Sequence, residues 1–345
     1  MLSRKIDHPS GYQLETPLLI PSFSSKGFSF INKKINKKTT EVSELYEVIP
    51  VAKELLHEST LFSAYDIYHR LLPEANEIYC TELTFLDSGG YETSQLYDYS
   101  GINKNDHGIK EWNKELYEKV LNSWPVEIPT IAVSYDHGKD RYPITDQVKN
   151  AKDLFKNHSN MLTNFLIKPE SKTKDNLDVE VILKNINLLR DFDIVGMTEK
   201  ELGNSVQDRM VNVWKVRQSL DKNGMQEKPI HIFGSLDPIT SVLYFLAGAE
   251  IFDGLTWLKF TYFDGVAMYT HNYSILDDQL GIPTRDKTVK LNSLKNNINF
   301  LNKLKYILKD FAKTKDFEVF EKLGNKKVAS MIEKSFRRFE NEISK

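Results

Sequence analysis

The chain has 345 residues, a formal net charge of -2 and 40% hydrophobic residues, enough for one large core, which excludes extended disorder over most of its length. So small a charge gives no overall attraction for a polyanion, and the single cysteine, Cys80, permits neither an internal disulfide nor a multi-cysteine zinc site. The opening Met-Leu-Ser-Arg-Lys-Ile-Asp-His has no apolar core of signal-peptide length and no uncharged run is long enough to span a bilayer, so a soluble, cytoplasmic protein without membrane contact is expected.

Short β-rich runs alternate with amphipathic stretches, the pattern of βα units around a parallel sheet. Strands are expected at 16–23, 77–86, 130–135, 163–167, 192–195, 230–233 and 250–252, and helices at 61–72, 109–122, 144–157, 179–190, 205–220 and 238–248. An eighth strand is expected at 257–262 or 266–269. The economical closure is an α/β fold, a (β/α)8 TIM barrel over 1–284 with a helical C-terminal extension, 285–345, packed on it. That extension holds 16 Lys and Arg against 8 Asp and Glu, with Phe300, Tyr306, Phe311, Phe317, Phe320, Phe336 and Phe339 interspersed. Its simplest reading is a solvated helical pair whose aromatics face the barrel, and phosphate contacts can share the same helices. Lys33, Lys34, Lys37 and Lys38 make a second basic patch.

Two aspartates follow apolar runs and so are expected at strand C-termini, the end of an α/β barrel where active sites are built. Asp87 opens Asp87-Ser88-Gly89-Gly90-Tyr91-Glu92, and Asp253 closes Gly248-Ala249-Glu250-Ile251-Phe252-Asp253 before Gly254. The paired glycines allow positive φ and close approach of the backbone to a flat ligand, on which Tyr91 could stack. Read alone, Asp87 is equally a turn residue capping backbone amides, and an aspartate in Phe252-Asp253-Gly254 is more often a cap than a nucleophile. Asp136, in Val133-Ser134-Tyr135-Asp136, adds a carboxylate able to accept from the N–H edge of a guanine-like base. Val195-Gly196-Met197 follows another strand and leads into Glu199 and Glu201, and His231-Ile232-Phe233-Gly234 precedes a helix. His137, His231 and His271 lack ligand-pair spacing and read as turn or core histidines; His107 and His158 read as surface, and Cys80 as buried.

Taken in order, these motifs resemble the tRNA-guanine transglycosylase family over about 16–320. Its Asp-Ser-Gly-Gly-Phe-Gln is matched by Asp87 to Glu92, its Gly-Ile-Asp-Met-Phe-Asp-Cys by Gly248 to Gly254, and its Gly-Gly-Leu-Ala-Val-Gly-Glu by Val195 to Glu201. The resemblance implies that Asp253 attacks C1′ of a nucleotide and Asp87 serves as general acid and base. It further implies that Asp136 and the backbone at Gly196 and Met197 grip the base, with Tyr91 on its face and Ser88, Gly89, Gly90 and Glu201 completing the pocket. The family's zinc ligands are missing: Leu294-Lys295-Asn296-Asn297 stands at the histidine motif and no cysteine follows Asp253, so no metal or other cofactor is expected. Thr256-Trp257-Leu258-Lys259 replaces Pro-Thr-Arg, which casts Lys259 and Trp257 as nucleic-acid contacts, and Ile167-Lys168 replaces the family's Gln-Gly step.

Both acids without a zinc site look like the branch that inserts a 7-deazaguanine such as preQ0 into DNA, with DNA and the free base as partners and ATP-dependent proteins as candidate helpers. Exchange in tRNA, a catalytically silent partner subunit and a carbohydrate-cleaving barrel remain the alternatives.

Overall fold

In the computed structural model, which describes residues 3–35, 37–78, 81–94, 109–137, 140–277 and 279–345, eight parallel strands close into a barrel. In chain order they are β1 Leu18–Phe23, β2 Ser59–Ser63, β3 Leu83–Asp87, β4 Thr130–Val133, β5 Leu162–Ile167, β6 Ile194–Thr198, β7 Ile230–Phe233 and β8 Ile251–Gly254. Strand β8 pairs with β1, Asp253 opposite Ile20, and this closes the ring. Cys80 and His107 lie outside the described residues.

Alternation along each strand divides the core into two layers. Leu18, Ile20, Leu61, Phe85, Val133, Leu166 and Ile251 point inward and fill the barrel. Leu19, Phe62, Leu86, Ala132, Phe165, Val195 and Phe252 point outward onto the helices. These include α1 Leu45–Lys53, α2 Ala64–Tyr68, α3 Lys114–Ser123, α4 Ile144–Phe155, α5 Val179–Lys184, α6 Val206–Lys222 and α7 Pro238–Leu246. Side-chain caps set several starts: Asn113, Asp178, Ser205 and Asp237 each accept a hydrogen bond from a first-turn amide.

The eighth strand is β2, not 257–262 or 266–269. Ser59–Ser63 reads like the start of an amphipathic helix because Leu61, Phe62 and Tyr65 fall at helical spacing, but pairing between β1 and β3 makes it a strand, and only Ala64–Tyr68 is helical. Residues 256–259 form a helical turn, and Thr261–Phe263 and Val266–Met268 form an antiparallel hairpin outside the barrel. Strand β3 starts at Leu83 because Ala75–Ile78 is a helical turn, and α3 starts at Lys114 where Asn113 caps it.

A hairpin of Lys5–Asp7 and Gln13–Glu15 closes the floor, its Ile6 and Leu14 joining the inner cluster. It is tied down by a buried ion pair between Arg4 and Glu250, with Arg217 at 4.0 Å from the same carboxylate and the Ile230 amide donating to it at 2.8 Å. At the opposite end, the chain leaves β1 into the hairpin Phe30–Ile35/Lys38–Ser43, which carries Lys33, Lys34, Lys37 and Lys38.

The extension is helical: α8 Asp286–Thr314 packs on β1 and α7, and α9 Lys326–Ile343 packs on α6 and α7. Phe300, Phe311, Phe320 and Phe339 are buried in the same apolar layer that covers the barrel, while Tyr306 is exposed. Among the described residues, no helix is long and apolar enough to cross a membrane.

Candidate active site at the barrel mouth

The inward phase of the strands that carries Leu and Ile lower down carries polar residues at the C-terminal end: Ser22 on β1, Ser63 on β2, Asp87 on β3 and Asp253 on β8. A polar side chain facing a barrel interior costs desolvation unless it is hydrogen-bonded. Asp253, only 6% exposed, is hydrogen-bonded on both oxygens. Ser22 Oγ donates to its Oδ2 at 2.7 Å, and the Gly234 amide donates to Oδ1 at 3.2 Å. His231 Nε2 lies 3.1 Å from that same Oδ1. Three groups from β1, β7 and the turn after β7 thus fix one carboxylate.

Asp87 sits in a different setting. Its one described hydrogen bond comes from the Gly89 amide, 3.1 Å from Oδ2. Burial, and then the negative charge of Glu92, push its carboxyl up to about 8; the Gly89 amide works against this, while Asp253 and Asp136 add to it. Beside them, Glu92 accepts from Ser24 Oγ, and the fully buried Asp66 accepts from the Ser25 hydroxyl at 2.5 Å and the Ser25 amide at 2.7 Å. Burial, then Glu92, raise Asp66 well above the usual carboxylate range.

Asp136 is joined directly to the Asp87 motif. Its amide donates to Ser88 Oγ at 3.2 Å, and Gly90 packs so tightly that a Cβ there would stand 2.6 Å from the Asp136 carboxylate. Glycine is needed at 90 to make room for that acid. On its other side Asp136 meets two cations: Arg141 Nη1 at 3.2 Å from Oδ1 and Lys168 Nζ at 3.3 Å from Oδ2. Lys168 also pairs with Glu201 Oε1 at 2.8 Å, and Arg141 reaches the same atom at 3.8 Å. Burial acts upward on Asp136 but Lys168 and Arg141 outweigh it, leaving the carboxyl below its ordinary value. Burial acts downward on Lys168 but Asp136 and Glu201 outweigh it, leaving the ammonium raised. Two acids and two bases therefore form a neutral, partly buried array, with Glu201 Oε2 enclosed and unpaired among the described residues.

The structure brings Asp87, Asp253, Asp136, Gly90 and Glu201 to one end of the barrel and gives other expected residues different places. Ser88 is fully buried, its hydroxyl taken by the Asp136 amide, so it orients that acid instead of facing a ligand. Gly89 has φ 84°, with Tyr65 and Trp112 packed where a side chain would stand. One face of the Tyr91 ring is covered by the Lys26 ammonium, 4.5 Å from its centroid, which also bonds the Tyr91 carbonyl at 2.6 Å. Gly196 lies beneath the Phe233 ring, and the Met197 side chain points outward into the helix layer, leaving only its backbone for a ligand.

Trp257 is a correction. It is fully buried, edge-on to Phe23 at 5.2 Å, and its Nε1 donates to the Ser22 carbonyl at 3.1 Å, so it cannot stack on a nucleic-acid base. Its apolar bulk wins a place in the core, where it braces the strand end that presents Ser22. Lys259 lies at the mouth, its Nζ 5.9 Å from the Phe28 ring centroid.

Sequence reading missed Ser22, Asn164 and Arg141, named Gly234 at a strand end without a role, set His231 aside as a core histidine, and met Lys168 only as a departure from a motif. A usable signal existed: Ser22, Asn164 and His231 each occupy the inward phase of a strand whose neighbouring inward residues are apolar. No protein-family model and no curated protein matches this chain. Among the described residues, no group of three or more His, Cys, Asp or Glu side chains is placed to hold a metal ion.

Proposed function

We propose that this chain is a base-exchange transglycosylase that replaces guanine in a nucleic acid, DNA in preference to tRNA, with a 7-deazaguanine. One observation carries the reading: two inward-facing aspartates at the same barrel mouth, one anchored by three hydrogen-bonding groups and the other held protonated near neutral pH, beside a third that faces a donor array. This division of labour suits displacement at a sugar carbon, where one carboxylate attacks and the other handles a proton.

An Asp253 oxygen attacks C1′ as the C1′–N9 bond breaks, and the bonding pair leaves with the base. Asp87, protonated at neutral pH, gives its proton to the departing base. The resulting ester keeps the sugar on Asp253. The Asp87 carboxylate then takes the proton of the incoming base, whose nitrogen attacks C1′ and returns the C1′–O pair to Asp253. Asp136 with Lys168 offers an acceptor beside a donor, which complements the N1–H and O6 of a guanine edge. Both charges are already paired with each other, so an incoming base must exchange one set of bonds for another.

The preference for DNA rests on the resemblance and on the missing zinc motif. In duplex DNA the target base must leave the stack before C1′ is reachable. Lys259 and the lysine-bearing hairpin after β1 are among the basic groups on the mouth side. The test is incubation of the purified protein with labelled preQ0 and either plasmid DNA or tRNA. Label in DNA supports the assignment, label only in tRNA moves it to the tRNA branch, and release of sugar from aryl glycosides without base exchange replaces it with a glycosidase.

A further inference from the structure

Behind Asp253 lies a buried chain that the exchange scheme does not use. Asn164 on β5 and His231 on β7 are both fully buried. Asn164 Nδ2 lies 2.8 Å from His231 Nδ1, and His231 Nε2 lies 3.1 Å from Asp253 Oδ1. The imidazole is clamped, stacked on Phe233 with centroids 3.8 Å apart and edge-on to Phe85 at 5.5 Å. Asn164 Oδ1 has no partner among the described residues and points toward Gly196, where a Cβ would stand 2.8 Å from it.

Each nitrogen of a neutral imidazole is either a donor or an acceptor, and the partner of one decides the role of the other. An amide NH2 facing Nδ1 requires a lone pair there, which puts the ring proton on Nε2, aimed at Asp253. The reverse tautomer would set an Nε2 lone pair against a carboxylate oxygen. Turning the amide so that its oxygen faced Nδ1 would call for a proton on both nitrogens, and an imidazolium would hold Asp253 as an ion pair.

We infer that Asn164 and His231 are positioning residues: Asn164 locks His231 as the neutral Nε2–H tautomer, which holds Asp253 Oδ1 so that Oδ2 attacks the sugar. Oδ1 carries two donors, His231 and the Gly234 amide, whereas Oδ2 carries only the rotatable hydroxyl of Ser22. In the ester, Oδ1 is the carbonyl oxygen, and its two donors stabilise the charge that returns to the carboxylate when the incoming base breaks the C1′–Oδ2 bond. A neutral donor supports that departure without tying up the nucleophile as an imidazolium would. The catalytic half of this inference rests on the transglycosylase reading; the tautomer half does not.

The test is 15N NMR of the full chain labelled at histidine, with the His231 signals assigned by their loss in His231→Gln. The expected result is one protonated nitrogen at Nε2 and one bare nitrogen at Nδ1. In Asn164→Asp, the same shape with an acceptor in place of a donor, both nitrogens become protonated and capture of the sugar–Asp253 adduct slows at least tenfold. His231→Gln, which can still donate to Oδ1, retains adduct formation within a few-fold, while His231→Leu releases the adduct to an incoming base at least tenfold more slowly. A wild-type ring protonated at Nδ1 alone, or on both nitrogens, overturns the lock, as does an Asn164→Asp spectrum identical to wild type. Absence of any adduct in the wild type defeats the transglycosylase reading and leaves the spectra to decide the tautomer.

Discussion

Asp87 and Asp253 are the same residue type at the same end of the same barrel, yet their surroundings are opposites. Asp253 is met by a hydroxyl, an imidazole and an amide from three directions. Asp87 has one amide and a neighbourhood of other carboxyls, Glu92 first among them. The two differ because β1, β7 and the turn after β7 supply hydrogen-bonding groups to one, while Glu92 after β3 and Asp136 after β4 bring negative charge to the other.

The largest effect separating them is expected from Asp253→Asn, which on the proposed exchange removes the attacking oxygen: loss of at least about 10³-fold in exchange and no denaturant-resistant protein–nucleic acid adduct on a gel. Adduct surviving in that variant would transfer the attacking role elsewhere. Asp87→Asn comes next, with a loss of about 10²–10⁴-fold from removal of the acid and base. The same variant has a second signature. Because the folded carboxyl titrates at about 8, above its unfolded value, the native state binds the extra proton, and the wild type loses stability as pH rises between the two. Asp87→Asn removes that loss, so chemical denaturation at pH 9 should find the variant more stable than wild type, by about 1.4 kcal/mol for each pH unit separating the two values, with the gap closing toward pH 4.

Ser22→Ala deletes one charge-assisted bond to Asp253, and kcat should fall about tenfold with little change in KM. The smallest effect is a displacement of the pH profile. Glu92→Gln takes away the leading charge acting on Asp87, so the alkaline limit of the first half-reaction should move to lower pH while the plateau rate stays within a few-fold; an unmoved limit would show that burial alone sets it.

Much of the architecture was legible because βα alternation is a local signal: seven of the eight barrel strands fall on runs the composition marks. The eighth escaped because Leu61, Phe62 and Tyr65 satisfy helical spacing and only long-range pairing decides otherwise. Asp87, Asp136 and Asp253 were visible through the glycines and strand ends beside them. The donors around Asp253 were not, since Ser22 and His231 stand in the sequence 209 residues apart by their numbers and meet only when β8 closes onto β1 and β7. Trp257 misled for a related reason: a tryptophan beside a site is as ready to brace it from below as to touch what it binds.

The plugged floor has a kinetic corollary. With Ile6 and Leu14 closing the far end of a barrel already filled by inward-facing apolar side chains, the described residues leave the mouth as the approach to the two aspartates, so on the proposed exchange a spent base and its replacement cannot queue from opposite sides. On the proposed exchange, the covalent intermediate sets a ping-pong order, and the shared mouth makes the released base a competitor of the incoming one.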